Sequence, residues 1–346
     1  MTLTELLSLA IAQDASDLHL SSGTAPVLRV QGQLRRLELP ALNAEQVQAM
    51  AQTAMTAAQY QAWGALRDID GAMEQPGLGR FRFNAYTHQQ GPALALRHIA
   101  SRIGSLQELR VPAALADLVL RPQGLLLVTG PTGSGKSSTL AALLQHRMAQ
   151  QPCHLITIED PIEFVHRTEL GLVHQRELGT HAASFDQALR AALREDPDVI
   201  MVGELRDRPT IELAITAAET GHLVLATVHT NGAAQTIDRL IDGFAAADKE
   251  MVRTMLSESL LAVVSQVLCP GRAGGRVAVH EVLVATAAVR NLVRENKLAQ
   301  LHSVMQTGSS LGMQTLDQAL AESVRRQLVI AQQARRLARN PDNVAL

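Results

Sequence analysis

The amino-acid sequence predicts an α/β protein, with an N-terminal α+β domain followed by a parallel α/β domain that ends in a helical part. Two observations support this prediction. Residues 80–86 alternate between apolar and polar side chains, as a half-buried strand of an antiparallel sheet does. From residue 125 onward, short apolar runs alternate with helix-forming segments, which is the pattern of a parallel sheet covered on both faces. At 346 residues the chain also exceeds a single typical core, so two domains are expected.

The first domain is predicted over residues 1–100. Thr2 and Glu5 have the spacing of a capping box and open an amphipathic helix. Further elements are predicted as strands at 17–20, 27–34 (interrupted at Gly32), 80–86 and 94–99, and as a helix at 43–60. Residues 101–124 carry glycines and prolines around one short helical pattern, so they are predicted to be an interdomain linker.

The second domain is predicted over residues 125–346. Its strands are predicted at 125–129, 154–158, 199–202 and 223–228, and two of its helices at 184–194 and 210–220. Beyond Asp248 the pattern predicts mainly helix, which gives the domain a helical C-terminal subdomain.

Composition excludes several classes of protein. A net charge of −2 argues against bulk electrostatic attraction to nucleic acid, so we expect no stable nucleic-acid binding. Cys153 and Cys269 form no C-x-x-C pair, which excludes a zinc ribbon. The N-terminus has no basic segment followed by an apolar core, and no run approaches 18 apolar residues. We therefore expect a cytoplasmic protein.

A phosphate-binding loop follows the first strand of the second domain. Residues 130–137 read GPTGSGKS and match G-x-x-x-x-G-K-[ST], with a β-type segment before them and a helix-forming segment after them. The glycines let backbone N–H groups face an anion, Lys136 can reach the β- and γ-phosphates, and the Ser137 hydroxyl can ligate Mg²⁺. The sequence thus predicts binding of a nucleoside triphosphate by Gly130, Pro131, Thr132, Gly133, Ser134, Gly135, Lys136, Ser137 and Ser138.

Polar residues next to the later strands complete the candidate site. Ligands in such sheets bind at the carboxyl ends of the strands, where Glu159, Glu163 and Glu204 are found. We interpret Glu204 as the base or water-positioning group. The usual second motif of phosphate-loop enzymes ends an apolar strand with Asp, and this chain has Gly203 in that place. The alternative for Glu159 and Glu163 is a solvated, helix-capping loop. His222 and His229 flank one strand and are interpreted as γ-phosphate sensors, the alternative being structural histidines.

Arg80 and Arg82 project from the same face of one strand in the first domain. Two arginines are costly to bury without a partner, so we expect them to meet an anion. That anion is either a surface carboxylate or the triphosphate of an adjacent subunit.

Four segments carry a resemblance to a known family. They read TIEDPIEF at 157–164, ALREDPDVIMVGELRD at 192–207, GHL at 221–223 with HT at 229–230, and AVRNLVRE at 288–295. In this order they resemble the Asp box, the atypical Walker B region, the His box and the C-terminal segment of the PilT family. These are the retraction ATPases of type IV pili, within the secretion ATPase superfamily, and the glycine at position 203 is one of their features. The similarity extends from about residue 15 to about residue 317.

The resemblance implies a PAS-like N-terminal α+β domain and a RecA-like P-loop ATPase domain. It implies a homohexamer that hydrolyses ATP with Mg²⁺, with nucleotide lying between the domains within reach of Arg80 and Arg82. The expected function is pilus retraction and twitching motility. The expected partners are an inner-membrane platform protein and a second retraction ATPase, at the inner face of the cytoplasmic membrane.

Other functions stay open at this point. One is an accessory retraction ATPase, or an ATPase of a secretion system or DNA-uptake pilus. Another is a nucleotide-binding interaction module that does not hydrolyse. Within residues 288–295, Arg290 and Arg294 either belong to an ordinary packed helix or to a face needed for mechanical output, which the family resemblance favours.

Overall fold

The computed structural model describes residues 1–30, 32–99, 102–168 and 170–344. It contains two compact units. The first consists of Met1–Arg102 together with Pro161–Val165, and the second of Ile103–Asp160 together with His166–Leu346. The predicted boundary at residues 100 and 101, and residue 31 of the predicted strand 27–34, lie outside the described residues.

The described part of the first unit contains an antiparallel sheet of six strands in the order β3-β2-β1-β6-β5-β4. Its elements are α1 (Leu3–Ala12), β1 (Ala15–Ser21), β2 (Val27–Val30), β3 (Gln33–Arg36), α2 (Ala44–Ala54), α3 (Ala57–Leu66), β4 (Asp68–Gln75), β5 (Gly79–His88) and β6 (Gly91–Ile99). Alternation along β5 places Phe81 and Phe83 in the core, where they pack with Leu6 and Leu7 of α1. The predicted α+β architecture of this unit is confirmed.

The single helix predicted at 43–60 is wrong. Two helices form because Met55 is extended at the end of α2 and Thr56 opens α3 with a capping box to Gln59. Strand β4 was not predicted, since its sequence, DIDGAMEQ, is polar and lies at the edge of the sheet.

The described part of the second unit contains a sheet of seven strands in the order β13-β12-β7-β11-β10-β8-β9. Neighbouring strands from β12 to β9 in this order pair in parallel, and β13 is antiparallel to β12. The first elements are α4 (Ala113–Leu118), β7 (Gly124–Thr129), α5 (Lys136–Gln150), β8 (His154–Glu159), β9 (Leu172–Glu177), α6 (Phe185–Ala192), β10 (Val199–Val202), α7 (Arg208–Glu219) and β11 (Leu223–Val228).

The remaining elements are α8 (Ala233–Asp242), α9 (Lys249–Ser259), β12 (Leu260–Pro270), β13 (Arg276–Val284), α10 (Ala287–Arg294), α11 (Leu301–Thr307), α12 (Leu316–Arg325) and α13 (Ala331–Leu337). The prediction of mainly helix beyond Asp248 is wrong for β12 and β13, which extend the central sheet. The apolar run in β12 is buried, and such a run cannot be distinguished from a buried helix by periodicity alone. Helices α10 to α13 form the helical C-terminal part.

Helices cover both faces of the second sheet. One core cluster joins the sheet to α6, α7, α8, α9 and α10, and another joins it to α4 and α5. Every residue of β7, β10 and β11 is buried, as the apolar sequences of these strands predict. Because these strands are parallel, the loops that follow them emerge at the same edge of the sheet. Among the described residues, no helix is long and apolar enough to cross a membrane.

Candidate nucleotide-binding site

The phosphate loop turns sharply between β7 and α5. Gly130 has a φ of 141°, and a Cβ atom there would lie 2.3 Å from the backbone oxygen of Gln266 on the neighbouring strand β12. Gly135, with a φ of 87°, is the N-cap of α5. The loop's backbone conformation therefore requires glycine at both positions. The backbone N–H groups at the start of α5 are left to bind an anion.

The Lys136 side chain folds back into the phosphate loop. Its Nζ donates to the carbonyl oxygens of Gly130 at 2.9 Å and Pro131 at 3.0 Å, and lies 3.4 Å from Nδ1 of His229. Lys136 is only 8% exposed. A buried ammonium that is held by carbonyl dipoles favours the entry of an anion, because a phosphate would supply the opposite charge.

Two hydroxyls in or next to the loop are buried without a partner in the part of the chain that the structure describes. The side-chain oxygens of Thr129 and Ser134 are buried and have no hydrogen-bond partner among the described residues. Buried polar groups in folded proteins are nearly always hydrogen-bonded, and a polar ligand in the loop would supply a partner for Ser134, which belongs to the loop.

The donor set also fits Mg²⁺ that arrives with a nucleotide. Ser137 lies in the first turn of α5 and is partly exposed. The residues described contain no group of three or more His, Cys, Asp or Glu side chains that could hold a metal ion. Mg²⁺ is commonly bound by one or two protein oxygens plus substrate phosphates, so Ser137 is a fitting protein ligand.

Glu204, His229 and Lys136 form a continuous chain of contacts. Oε1 of Glu204 lies 3.2 Å from Nε2 of His229, whose other ring nitrogen faces Lys136. Oε2 of Glu204 accepts a hydrogen bond of 2.6 Å from Nε of Arg206. The structure thus brings the predicted base and one predicted sensor to the phosphate loop.

Backbone contacts fix the ends of β8, β10 and β11 relative to one another. The N–H of Gly203 donates to the oxygen of Ile158 at 2.7 Å, and the N–H of Leu205 donates to the oxygen of Thr227 at 3.0 Å. A Cβ atom at position 203 would lie 3.1 Å from the Ile158 oxygen. A side chain at position 203 would therefore make a tight contact with the end of β8.

Glu159 is buried at the end of β8. Its Oε1 accepts hydrogen bonds from Thr157 at 2.6 Å and from the Gln175 side chain at 3.0 Å. Glu159 therefore lies at the same sheet edge as Glu204, and its catalytic role stays a prediction. Glu163 belongs to the segment that is grouped with the first unit, and its role also stays a prediction.

His222 does not join this site within one chain. The pairing of β7 with β11 sets Leu223 opposite Gly124 and Val228 opposite Thr129, so His222 lies at the edge of the sheet away from the phosphate loop. Six strand residues separate it from His229, a distance of roughly 20 Å. Its Nδ1 lies 3.0 Å from the oxygen of Ala217. Within one chain His222 therefore does not lie beside the phosphate that His229 approaches, because the two ends of a strand lie at opposite edges, and its role as a sensor stays a prediction.

The two arginines predicted to meet an anion lie on β5 in the first unit. Nη2 of Arg82 lies 3.7 Å from Oδ1 of Asp70 on β4, so a surface carboxylate is one partner of this side chain. Arg80 lies opposite Glu74 in the register of the same two strands. Contact of either arginine with a nucleotide stays a prediction.

Sequence reasoning missed Gln266, a buried residue of β12 whose side chain contacts the phosphate loop. It also missed Arg206, the partner of Glu204. Arg206 follows Glu204 at a spacing of two residues, a signal that was available. No sequence signal pointed to Gln266, since its contact with the loop depends on which strand lies beside β7.

A family model described as Type II/IV secretion system protein matches residues 1–273. The chain belongs to this family. The type IV pilus retraction ATPase PilT of Pseudomonas aeruginosa is 50% identical over 343 residues, which cover 99% of this chain and 100% of the relative. The twitching motility protein of Neisseria gonorrhoeae is 52% identical over 321 residues, covering 92% of this chain and 86% of the relative.

A crystal structure of the pilus retraction motor PilT with bound ADP matches with a TM-score of 0.93 and 41% identity, covering 99% of each chain. The chain therefore belongs to the PilT family of pilus retraction ATPases. The predicted family and the predicted fold class, an N-terminal domain followed by a RecA-like ATPase domain, are confirmed.

Proposed function

We propose that this protein hydrolyses ATP, with Mg²⁺, to power type IV pilus retraction. The observation that carries the proposal is the series of side-chain contacts from Lys136 through His229 to Glu204. It connects a phosphate-binding group to a carboxylate that can act as a base. Family membership supports the same activity.

Each of these residues has a distinct task in the proposal. The loop N–H groups bind the phosphates, and Lys136 turns from the Gly130 and Pro131 oxygens towards the β- and γ-phosphates. Mg²⁺, held by Ser137 and the substrate, supplies positive charge beside the phosphates. Glu204 accepts a proton from the attacking water, for which one of its oxygens must be freed from Arg206 or His229.

His229 is proposed to report the state of the site. It contacts both Lys136 and Glu204, so a change in one of these side chains changes the environment of the other. Movement of Lys136 towards phosphate would release Nδ1 of His229 and let the ring reorient beside the γ-phosphate.

The proposed assembly is a homohexamer with domains at about residues 1–100 and 125–346. The segment predicted to join them, residues 101–124, includes α4, which packs in the core of the second unit. Arg80 and Arg82 would approach a triphosphate from the first domain of an adjacent subunit. The proposed location is the cytoplasm, at the inner face of the cytoplasmic membrane, because ATP is available there. The proposed partners are an inner-membrane platform protein and a second retraction ATPase.

A main rather than accessory motor is favoured. The Pseudomonas aeruginosa type IV pilus ATPase PilU is 39% identical over 321 residues, against 50% for PilT of the same organism. A non-hydrolysing module is disfavoured by the intact Lys136 and Ser137 and by the position of Glu204.

Steady-state ATPase activity, measured together with mass by light scattering, tests the proposal. We expect Mg²⁺-dependent release of phosphate by a particle of six chains. Lys136→Ala should weaken nucleotide binding, because it removes the charge that faces the phosphates. A correctly folded parent protein that binds ADP without hydrolysing ATP would support the interaction module instead.

A further inference from the structure

The buried side chain of Gln266 bridges the phosphate loop and the helix that follows it. Gln266 lies on β12 and is 2% exposed. Its Nε2 donates to the backbone oxygen of Ser134 at 2.7 Å, and its Oε1 accepts from Oγ1 of Thr139 on α5, also at 2.7 Å. One amide thus contacts the loop with its donor and α5 with its acceptor.

The bond to Ser134 has a consequence for the next residue. The Ser134 oxygen and the Gly135 N–H belong to one planar trans peptide, so they point in opposite directions. When Gln266 holds the oxygen towards β12, the Gly135 N–H is directed away from β12, into the loop. Gly135 has a left-handed backbone and caps α5 without a side chain, so its peptide needs an outside contact to fix its orientation.

The loop also packs tightly against the same residue. A Cβ atom at Gly135 would lie 2.9 Å from Nε2 of Gln266, and one at Gly130 would lie 2.3 Å from the Gln266 backbone oxygen. Thr139 orients the amide, because its hydroxyl donates to Oε1 and leaves Nε2 to face Ser134. Thr139 therefore fixes the orientation of the amide, and the amide in turn binds the backbone of the phosphate loop.

We propose that Gln266 is a positioning residue that orients the Ser134–Gly135 peptide of the phosphate loop for nucleotide phosphates. It acts through the loop and does not touch the nucleotide. The inference rests on the proposed nucleotide site, and it adds a residue outside the loop that sets the loop's affinity. Preorganised N–H groups bind an anion more tightly, because binding does not have to order them.

Gln266→Leu tests the proposal, since it keeps side-chain bulk but removes the donor and the acceptor. We expect the Kd for ADP and the KM for ATP to rise about tenfold, the effect of one hydrogen bond of about 1.4 kcal/mol, with kcat within a few-fold of the parent. Thr139→Val should raise both constants by a smaller factor, because it leaves the amide in place but unoriented. Melting temperatures are recorded for every variant.

Val263→Ala is the matched control. Val263 is a buried residue of the same strand, on the opposite sheet face from Gln266. It packs in the core cluster that joins the sheet to α6, α7, α8, α9 and α10. We expect a lower melting temperature with an unchanged Kd for ADP. A purely structural role for Gln266 would make Gln266→Leu behave in the same way, and that result overturns the proposal.

The other possible outcomes also either support or overturn the proposal. If Gln266→Leu does not fold, an unchanged Kd in Thr139→Val overturns the proposal and a raised Kd supports it. Failure of the parent protein to bind ADP would instead contradict the proposed function, so the two failures are distinguishable.

Discussion

Arg339, in the C-terminal tail, forms an ion pair of 2.8 Å with Glu281 of β13, whose side chain is only 1% exposed. Glu281 also accepts hydrogen bonds from the N–H of Ala233 at 2.7 Å and the N–H of Leu316 at 3.3 Å, at the starts of α8 and α12. One buried carboxylate therefore caps two helices, and Arg339 supplies its counter-charge. Helix α8 begins four residues after His229, so the tail supports the loop that leads from the site.

Arg339→Ala should lower the free energy of unfolding, because it leaves the buried Glu281 without its ion partner. We expect a loss of about 2 kcal/mol, less than for a fully buried pair because the guanidinium is about one third exposed. The measurement is urea unfolding. Arg335→Ala is the control, since Arg335 pairs at 3.4 Å with an Asp342 that is 87% exposed. Equal losses in both variants would contradict the special role of Glu281.

The phosphate loop could be predicted from sequence because its chemistry is local. Eight consecutive residues, a preceding apolar strand and a following helix define it, and the structure places them so. Glu204 and His229 were predicted for a related reason, since parallel strands end at one edge of the sheet. The same rule places His222 at the opposite edge of the sheet, because this residue precedes its strand.

Contacts between distant segments could not be predicted. Gln266 reaches the loop because β12 pairs with β7, and nothing in the two segments specifies that neighbourhood. Arg339 and Glu281 are 58 residues apart, and only the packing of the tail on β13 brings them together. Strand order is a property of the whole sheet, so periodicity within one segment carries little information on it.

Glu204→Gln should abolish hydrolysis while ADP binding is retained. The amide keeps the shape of the carboxylate but cannot accept the proton of the attacking water, so kcat should fall roughly 100-fold or more. Glu212→Gln, on the exposed face of α7, is the control and should have parental activity. Hydrolysis within a few-fold of the parent would move the role of base to Glu159 or Glu163.

Mixing two inactive variants tests whether sites are shared between subunits. Arg82→Ala and Glu204→Gln should each lose activity, and a mixture should regain part of it. Recovery is expected because an interface can then combine an intact Arg82 from one subunit with an intact Glu204 from the next. ATPase activity is measured over a series of mixing ratios, with Arg35→Ala, on the exposed strand β3, as a control that stays active. No recovery at any ratio would rule out a shared site.

Two buried histidines should make stability depend on pH. Burial lowers the pKa of His280 and of His166 to about 4, from an ordinary value of 6.5. The unfolded state then binds more protons between pH 6.5 and 4, so stability is lost as pH falls through this window. Each histidine should cost about 1.4 kcal/mol at pH 5.5 relative to pH 7.5.

Urea unfolding at both pH values checks this dependence. His280→Asn should reduce the difference between pH 7.5 and pH 5.5 by about that amount, whatever it does to absolute stability. The same change at the exposed His302 serves as a reference. A difference equal to that of the parent would contradict the assignment to His280.

The two arginines of helix α10, Arg290 and Arg294, make different kinds of contact. Arg290 donates from Nη1 to the oxygen of Ser257 at 2.6 Å and from Nε to the oxygen of Ala285 at 3.0 Å, so it caps the end of α9. Arg294 forms an ion pair of 2.8 Å with Glu258, and both side chains are about half exposed. Val289 and Val293 are fully buried beneath them. Arg290 is thus part of the packing, and Arg294 is the residue that a partner can reach.

Arg294→Ala should separate ATP hydrolysis from mechanical output. An exposed ion pair contributes little to stability, so mass and ATPase activity should stay close to those of the parent. If the exposed face of α10 that carries Arg294 transmits force, cells that carry the variant in place of the parent gene should lose twitching motility and retain surface pili. Lys297→Ala, which breaks the exposed pair with Glu295, is the control and should leave motility intact. Parental motility in Arg294→Ala would refute the coupling role, whereas loss of the assembled particle would assign Arg294 to the structure of the helix.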